Sequence, residues 1–301
     1  MTLRRVLVSS NERRLRAGWR LALQLLIMLA GAILFSLAWG LASQAIQAPP
    51  VPEGSAAKDL TFLGDTLISL LAITVSVYFA RRWLDRRSFD SLGLQRGYVW
   101  RDLLFGIALS GALMALIYAA GSALGWVHFQ GFAWQLRPAP EVLAGTVIWI
   151  LVFVMVGWQE ELLSRGYWLR NLQDGLNLPL AVLLSSAFFS MAHLSNPNVT
   201  WTAVVGLLAA GVWFAYACLR SGQLWLPIGL HIGWNFFEGK FFGFQVSGLT
   251  IDPLIHQSGS GPVLWTGGAF GPEAGLIVLP VLVLGAVAIW AYTHGRAGQE
   301  I

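Results

Sequence analysis

Long apolar stretches alternate with short polar stretches along most of this chain. A helix needs about 17–25 apolar residues to cross a bilayer. Such stretches, the later ones shorter or more polar, cover residues 21–46, 61–80, 103–126, a segment from about 142, then 179–193, 202–219, 224–237 and 272–293. The pattern therefore predicts an all-α multi-pass membrane protein with about eight transmembrane helices. Polar residues interrupt the middle four.

The composition supports the membrane interpretation. The 301 residues include 19 Lys and Arg and 15 Asp and Glu, so 11% are charged, whereas a soluble domain has about a quarter. Hydrophobic residues make up 56% and the mean hydropathy is +0.64, which is more apolar surface than a soluble fold of this length buries. These values exclude a soluble enzyme, a disordered chain and a nucleic-acid-binding module. Cys218 is the single cysteine, which excludes a disulfide and a thiolate metal site.

The basic residues predict the orientation of the helices. Sixteen of the 19 fall on one side of the predicted spans, namely Arg4, Arg5, Arg13, Arg14, Arg16, Arg20, Arg81, Arg82, Arg86, Arg87, Arg96, Arg101, Arg165, Arg170, Arg220 and Arg296. Only Lys58, Arg137 and Lys240 fall on the other side. By the positive-inside rule both termini are cytoplasmic, which agrees with an even number of helices. The first stretch is too long for a signal-peptide core, so we expect it to remain as an anchor.

Two of the segments between the apolar stretches have a composition of their own. Residues 81–101 alternate Arg and Trp with apolar residues, which is typical of a short interfacial helix. Residues 240–271 form a long Gly- and Phe-rich segment, which we expect to be an external loop that partly re-enters the membrane.

Two adjacent carboxylates follow a fully apolar run. An ionisable residue inside a transmembrane segment costs a few kcal/mol and by default marks a functional site. Glu161 and Arg165 are four residues apart and share one helical face, so they form a pair. Glu160 points about 100° away from that face. It therefore has no local partner and is free to face a cavity, unless this segment is a solvated interfacial helix end.

Three further polar residues follow on later apolar helices. His193 ends one of them, and taken alone it fits a packing residue better than a catalytic one. His231 and Asn235 lie four residues apart, so they project from the same face. Gly229 and Gly233 keep that helix slim and allow close packing in a membrane. Taken alone, the second pair fits an interhelical hydrogen bond as well as a catalytic role.

Two other acidic residues lie near the ends of predicted spans. Solvation at a helix end explains Asp65 about as well as function does, and it explains Glu238 better. The motif residues differ. At about 1.5 Å per helical residue, the turns at 174–177 and 220–223 place Glu160 and His193 at a similar depth of about 24 Å and His231 at about 15 Å. Helix tilt, or an interfacial stretch in residues 166–173, would close this gap. We therefore predict that the carboxylates, both histidines and the amide converge in one intramembrane cavity that opens to the cytoplasm.

The three motifs in order resemble those of a known family. Glu160-Glu161-x-x-x-Arg165, Phe189-x-x-x-His193 and His231-x-x-x-Asn235 are similar to the motifs of the CPBP family, the CAAX-protease and bacteriocin-processing (Abi-type) intramembrane endopeptidases. This family includes the eukaryotic Ras-converting CAAX endopeptidase. The resemblance covers about residues 142–249. Together with the predicted spans, it divides the chain into four parts: a basic cytoplasmic N-terminus (1–20), three helices with their loops (21–141), a CPBP-like catalytic core (142–250), and a final external loop, helix and cytoplasmic tail (251–301).

The resemblance also implies a mechanism. Glu160 would act as general base on a water that His193 holds, and His231 and Asn235 would stabilise the oxyanion. Glu161 and Arg165 would be a supporting pair. A zinc-dependent version would use Glu160, His193 and His231 as ligands. Because the sequence has no HExxH motif and Asn235 is a poor zinc ligand, we favour the reaction without a cofactor.

Other functional classes stay open at this point. A transporter would use the carboxylates and His193 as an ion or proton relay, but no inverted repeat is visible. A non-catalytic immunity or peptide-binding protein would keep the same motifs without turnover. The expected partners are a peptide or membrane-protein substrate and the lipid bilayer, not nucleic acid. The use of 17 Arg against 2 Lys favours a bacterial source and hence the bacterial cytoplasmic membrane. The oligomeric state leaves no signal in the sequence.

Overall fold

The structure of the protein is a computed structural model that describes Val8 and residues 14–45 and 55–295. Four arginines that contribute to the predicted orientation, Arg4, Arg5, Arg13 and Arg296, lie outside the described residues. So does Ile46, the predicted end of the first span.

The described residues are mainly helical, which confirms an all-α membrane protein. The longer helices are α1 (Ala17–Ala45), α2 (Ser55–Phe79), α3 (Val99–Ala123), α5 (Ala139–Glu161), α7 (Leu178–Ala192), α8 (Trp201–Ser221), α9 (Trp225–Asn235) and α11 (Val278–Thr293). Three short helices are α4 (Ala133–Leu136), α6 (Leu169–Gln173) and α10 (Val263–Thr266). The turn between α6 and α7 is closed by Asn177, whose side chain accepts a hydrogen bond from Leu180 N.

Five helices among the described residues are long and apolar enough to cross a membrane. They cover Ala17–Ala42, Lys58–Leu84, Val99–Ala123, Ala139–Gln173 and Trp201–Ser221. Leu178–Ala192 and Val278–Thr293 are apolar but shorter. At 1.5 Å per residue, such helices span about 25 Å or less of a hydrocarbon core that is about 30 Å thick. The last predicted span is shortened because Pro272–Ala274 form a 3-10 turn.

Three π-helical turns interrupt or extend the regular helices. They cover Ala80–Leu84 after α2, Leu162–Trp168 between α5 and α6, and Phe236–Phe241 after α9. The second π turn begins directly after Glu161, and the third begins directly after Asn235. Such turns are frequent at functional sites because they insert an extra residue and re-aim the side chains around them.

Helix α9 packs against α3 with almost no space between the two backbones. A Cβ atom added to Gly229 would lie 2.4 Å from Leu103 O, and one added to Gly106 would lie 2.5 Å from Leu230 N. Ser110 Oγ donates a 2.7 Å hydrogen bond to Leu230 O across this contact. The close packing predicted from the glycines of α9 is confirmed. It holds the helix that carries the third motif at a fixed distance from α3.

A two-stranded antiparallel sheet was not predicted from the sequence. Strand β1 (Val127–Phe132) pairs with β2 (Ile255–Gly259), with an irregularity between Phe129 and Gly131. Both strands are short and contain glycine, so they carry no strong period-2 pattern. The sheet joins the segment after α3 to the long segment 240–271 and fixes one end of that segment.

The arginine-rich end of the helices contains a buried ion-pair network. Arg20 and Arg81 donate to the two oxygens of Asp85 at 2.9 and 2.8 Å. Tyr167 Oη and Asn171 Nδ2 also donate to this carboxylate, at 3.4 and 3.2 Å. The predicted interfacial helix in 81–101 is replaced by the π turn after α2 and a 3-10 turn at Phe89–Leu92. The network explains this irregular path, since it requires side chains from three different elements to meet.

Candidate functional site

The two adjacent glutamates at the end of α5 lie in different environments. Glu161 is fully buried, and its Oε1 accepts a 2.9 Å hydrogen bond from Arg165 Nη1. Arg165 is also fully buried, donates to Gly211 O at 3.0 Å and lies over the ring of Phe189 at 4.4 Å. Glu161 therefore has its negative charge balanced within the protein.

Glu160 faces the neighbouring helices and has a different set of contacts. Its Oε2 lies 3.7 Å from His193 Nε2 and 3.9 Å from His231 Nε2, and 26% of its side chain is exposed. This oxygen has no hydrogen-bond partner among the described residues. Both distances exceed a direct hydrogen bond, so a small group such as a water can bridge these atoms.

Each histidine is oriented by its other ring nitrogen. His193 Nδ1 lies 2.8 Å from Phe189 O, and His231 Nδ1 lies 2.9 Å from Glu161 Oε1. Because a carbonyl and a carboxylate only accept hydrogen bonds, each Nδ1 carries a proton. The ring of Phe214 stacks on His231 with the planes at 12°. Both Nε2 atoms are thereby directed towards Glu160.

Asn235 completes the group one turn after His231. It is buried and lines the same cavity as Glu160, His193 and His231. The structure thus brings together the four residues predicted as catalytic, with Glu161 and Arg165 packed directly behind them. They come from α5, the end of α7 and α9.

The cavity around these residues has a volume of about 520 Å³, which is in the range of ligand-binding pockets. Its wall is mainly apolar and includes eight aromatic residues, namely Phe62, Trp149, Phe153, Phe188, Phe189, Trp213, Phe214 and Trp234. The polar residues that line it include the four residues above. Electrostatic interactions between polar groups are stronger beside an apolar wall than in bulk water.

The segment 240–271 supplies part of the cavity wall. Val246, Ser247, Leu249 and Ile251 line the cavity. Ser247 has a φ of +47° and Gly248 a φ of +85°, so the chain makes a tight turn at this point. The long loop is therefore a structural component of the site.

Glu273 is a cavity-lining carboxylate that the sequence analysis missed. It is buried, and its Oε2 accepts hydrogen bonds from Ser247 N at 2.9 Å and Ser247 Oγ at 2.6 Å. It fixes the tight turn of the loop against the cavity. The rule that singled out Glu160 applies equally here, because Glu273 lies inside the predicted last span 272–293.

One of the two acidic residues near predicted span ends does not lie where the sequence placed it. Glu238 is fully buried, so the expectation of a solvated helix end is wrong. The π turn after α9 directs it inwards, where a Cβ added to Gly271 would lie 3.5 Å from its Oε1. Asp65, about which the sequence was undecided, lines the cavity together with Glu160.

The lining also shows towards which helix ends the cavity extends. Asp65 and Thr66 lie in the first half of α2, Asn196 follows α7, and Ser247 lies in the long loop. These positions are opposite to the arginine-rich helix ends. If the arginine-rich helix ends face the cytoplasm, as predicted, the cavity extends towards the opposite side of the membrane. The predicted orientation of the helices therefore disagrees with the predicted opening of the cavity to the cytoplasm.

The residues predicted as alternative zinc ligands are Glu160, His193 and His231. No group of three or more His, Cys, Asp or Glu side chains within residues 14–45 and 55–295 is arranged to hold a metal ion. These three side chains therefore do not form such a group in this structure.

These features define a class of protein, a multi-pass membrane protein with a Glu, two His and an Asn in an apolar cavity. The family described as Rce1-like, Type II CAAX prenyl endopeptidase Rce1-like, matches residues 142–237. The match begins in α5 and ends after Asn235, so it contains all three motifs. It agrees with the family predicted from those motifs, and this part of the chain is similar to the domain of that family. No curated protein and no solved structure matches the chain.

Proposed function

We propose that this protein is an intramembrane endopeptidase that hydrolyses a peptide bond of a membrane-associated peptide or protein. One observation carries the proposal, namely the gap between Glu160 Oε2 and the Nε2 atoms of His193 and His231 at 3.7 and 3.9 Å. A carboxylate and an imidazole that face each other across such a gap are suited to hold and deprotonate a water. The family match supports peptide-bond hydrolysis as the reaction.

In the proposed reaction Glu160 is the general base. The Nε2 lone pair of His193 accepts one hydrogen of the water, and Glu160 removes the other proton as the oxygen attacks the scissile carbonyl carbon. A tetrahedral intermediate forms with its negative charge on the former carbonyl oxygen. Glu160 then returns the proton to the leaving amine, the C–N bond breaks, and a carboxylic acid and an amine result.

His231 and Asn235 are proposed to stabilise the oxyanion. The amide of Asn235 can donate to it directly. His231 donates its Nδ1 proton in a hydrogen bond to Glu161. It can therefore donate a further hydrogen bond from Nε2 only as the imidazolium, in which both ring nitrogens carry a proton. The buried carboxylate of Glu161, 2.9 Å away, is placed to stabilise that charge. Glu161 thus supports the reaction through His231 rather than by touching the substrate.

A zinc-dependent protease is the alternative that the resemblance leaves open, with Glu160, His193 and His231 as the residues that would hold the metal, but no group of three or more such side chains among the described residues is arranged to hold one. Bound zinc would supply an activated water to the same scissile bond. Exhaustive chelation of the detergent-purified protein separates the two candidates. We expect activity to survive, and loss of activity that added zinc restores would favour the metal.

The cellular setting is part of the proposal. We place the chain in a bacterial cytoplasmic membrane with about eight spans and both termini in the cytoplasm, on the strength of the arginine distribution. The core would be residues 142–250. The substrate would be membrane-associated because the cavity lies among helices that are apolar enough to cross a membrane.

Comparative peptidomics of membranes tests the proposed function. Membranes that contain the wild type are compared with those that contain Glu160→Gln, which keeps the shape but removes the base. Glu141→Gln is the matched control, since Glu141 is an exposed residue in the first turn of the same helix. We expect peptides that disappear with Glu160→Gln and persist with Glu141→Gln. Identical peptide sets in all three membranes would favour a non-catalytic binding protein.

A further inference from the structure

A second large cavity lies at the arginine-rich end of the helices. We call it the arginine cleft. It has a volume of about 930 Å³ and is lined among others by Arg81, Arg87, Arg170, Gly97 and Gln223. It shares no lining residue with the cavity of the candidate active site. The π turn after α2, the segment before α3, helix α6 and the turn between α8 and α9 form its wall.

The carboxylates next to the arginine cleft are already occupied by other arginines. Asp174 Oδ2 accepts hydrogen bonds from Arg14 Nη2 and Arg20 Nη2, both at 3.0 Å. Asp85 accepts from Arg20 and Arg81. Arg87 Nη1 also lies 3.8 Å from Asp174 Oδ1. None of these ion pairs includes Arg170, which lines the same cleft.

Arg170 is an arginine of the cleft that lies outside these ion pairs. Its Nε is buried and has no hydrogen-bond partner among the described residues. Its Nη2 lies where a side chain at position 93 would be, 2.9 Å from a Cβ added to Gly93, which has a φ of +99°. A buried guanidinium donor without an acceptor is costly, and an anion in the cleft would supply that acceptor.

The floor of the arginine cleft is open. A Cβ added to Gly97 or to Gly222 would meet no atom within 4 Å. Trp83 and Trp100 lie on the flanking segments and are 56% and 74% exposed. Exposed tryptophans of a membrane protein concentrate at the level of the lipid headgroups. The cleft is thus an open, positively charged space at headgroup depth.

We propose that the arginine cleft binds a phosphate-bearing anion, with Arg170 as the principal donor and Arg87 as a second cationic group. A guanidinium offers two parallel N–H donors whose geometry matches two phosphate oxygens. The phosphate can belong to the headgroup of an anionic phospholipid or to a free phosphate. This proposal does not depend on the protease activity.

Isothermal titration calorimetry on the full-length protein in non-ionic detergent tests the proposal. The probes are short-chain phosphatidylglycerol, short-chain phosphatidylcholine and inorganic phosphate. We expect phosphatidylglycerol to bind, and Arg170→Gln to weaken that binding about tenfold or more, as for loss of a charge-assisted contact. Arg82→Gln is the matched control, because Arg82 is exposed and lies outside the cleft. It removes the same charge from the same arginine-rich end of the helices and is expected to leave the affinity within about twofold.

The three probes distinguish the source of the phosphate. Binding of phosphatidylglycerol alone identifies a lipid headgroup, whereas Arg170-dependent binding of inorganic phosphate identifies a free phosphate. The proposal is overturned if neither phosphatidylglycerol nor inorganic phosphate binds. It is also overturned if Arg82→Gln weakens the binding as much as Arg170→Gln does. If Arg170→Gln does not fold, Gly97→Leu replaces it, since this variant keeps every charge and adds volume to the open floor. An unchanged affinity in Gly97→Leu would then reject the cleft as the binding site.

Discussion

His231 Nδ1 and Arg165 Nη1 lie at the same distance, 2.9 Å, from the same atom, Oε1 of Glu161. One carboxylate oxygen therefore joins the helix that carries the proposed general base to the helix that carries the proposed oxyanion donors. The two adjacent glutamates therefore have different environments. Glu161 is buried and connects the two helices, whereas Glu160 faces the cavity.

Glu161→Gln is expected to destabilise the protein far more than Glu160→Gln. It removes the charge partner of the fully buried Arg165, and breaking a buried ion pair from one side costs about 3–5 kcal/mol. Glu160 has no such partner and is partly exposed. Thermal unfolding in detergent measures the difference, and Glu141→Gln serves as the control. Equal melting temperatures for Glu161→Gln and Glu160→Gln would contradict the assignment.

Asn235→Ala is expected to lower kcat by about 10²–10³-fold, as for loss of one oxyanion donor. KM should change little, because the amide would contact the substrate oxygen mainly as charge develops on it. Steady-state kinetics on a peptide found by the peptidomics comparison measures both constants. Asn196→Ala is the control, since Asn196 lines the same cavity and its amide is bound to Ser247 O. A higher KM at constant kcat would assign Asn235 to ground-state binding.

Glu273→Gln is expected to loosen the turn around Ser247. The substitution replaces a charged acceptor of two hydrogen bonds by a neutral one, and hydrogen bonds to a charged group contribute about 1.5–3 kcal/mol each. Amide hydrogen exchange of residues 246–249 should become at least about tenfold faster, while exchange in α9 stays unchanged. Glu141→Gln provides the baseline. Exchange at the wild-type rate in this turn would show that Glu273 does not hold the loop.

Cysteine labelling can determine on which side of the membrane the cavity lies. Cys218 is buried and should react little, so a single introduced cysteine gives a clean signal. We expect Asp65→Cys and Arg82→Cys to react with a membrane-impermeant maleimide from opposite sides, with Arg82→Cys on the cytoplasmic side. Spheroplasts and inverted vesicles provide the two sides. Reaction of both variants from the cytoplasmic side would contradict this expectation and support the prediction that the cavity opens to the cytoplasm.

The local part of the site was predictable, because helical spacing relates residues that are three or four positions apart. Glu161 with Arg165, and His231 with Asn235, follow from that spacing alone. The contact between His231 and Glu161 joins residues 70 positions apart, and only the packing of α5 against α9 creates it. No local pattern in a single sequence encodes such a contact.

The fold shows the same limit. Five of the eight predicted spans correspond to described helices that are long and apolar enough to cross a membrane, and these were predictable from apolar length, since the bilayer sets a required length for each helix. Burial of Glu238 and the pairing of β1 with β2 depend on a π turn and a glycine-rich loop, for which hydropathy has no signal. Glu273 was missed for a different reason, because its position at the start of a predicted span made it resemble a solvated helix end.

The π turn Leu162–Trp168 joins α5 to α6 in one continuous helix. It determines how far α6 is rotated about the helix axis relative to α5. Before it, Glu161 is fixed by Arg165 and His231, and near its end and beyond it, Tyr167 and Asn171 are fixed on Asp85. Deleting one residue after Arg165 would turn the downstream helix by about 100° and detach it from Asp85. The number of residues in this turn is therefore as strictly constrained as the chemical identity of the motif residues, and a single-codon deletion here would damage the protein without removing any catalytic group.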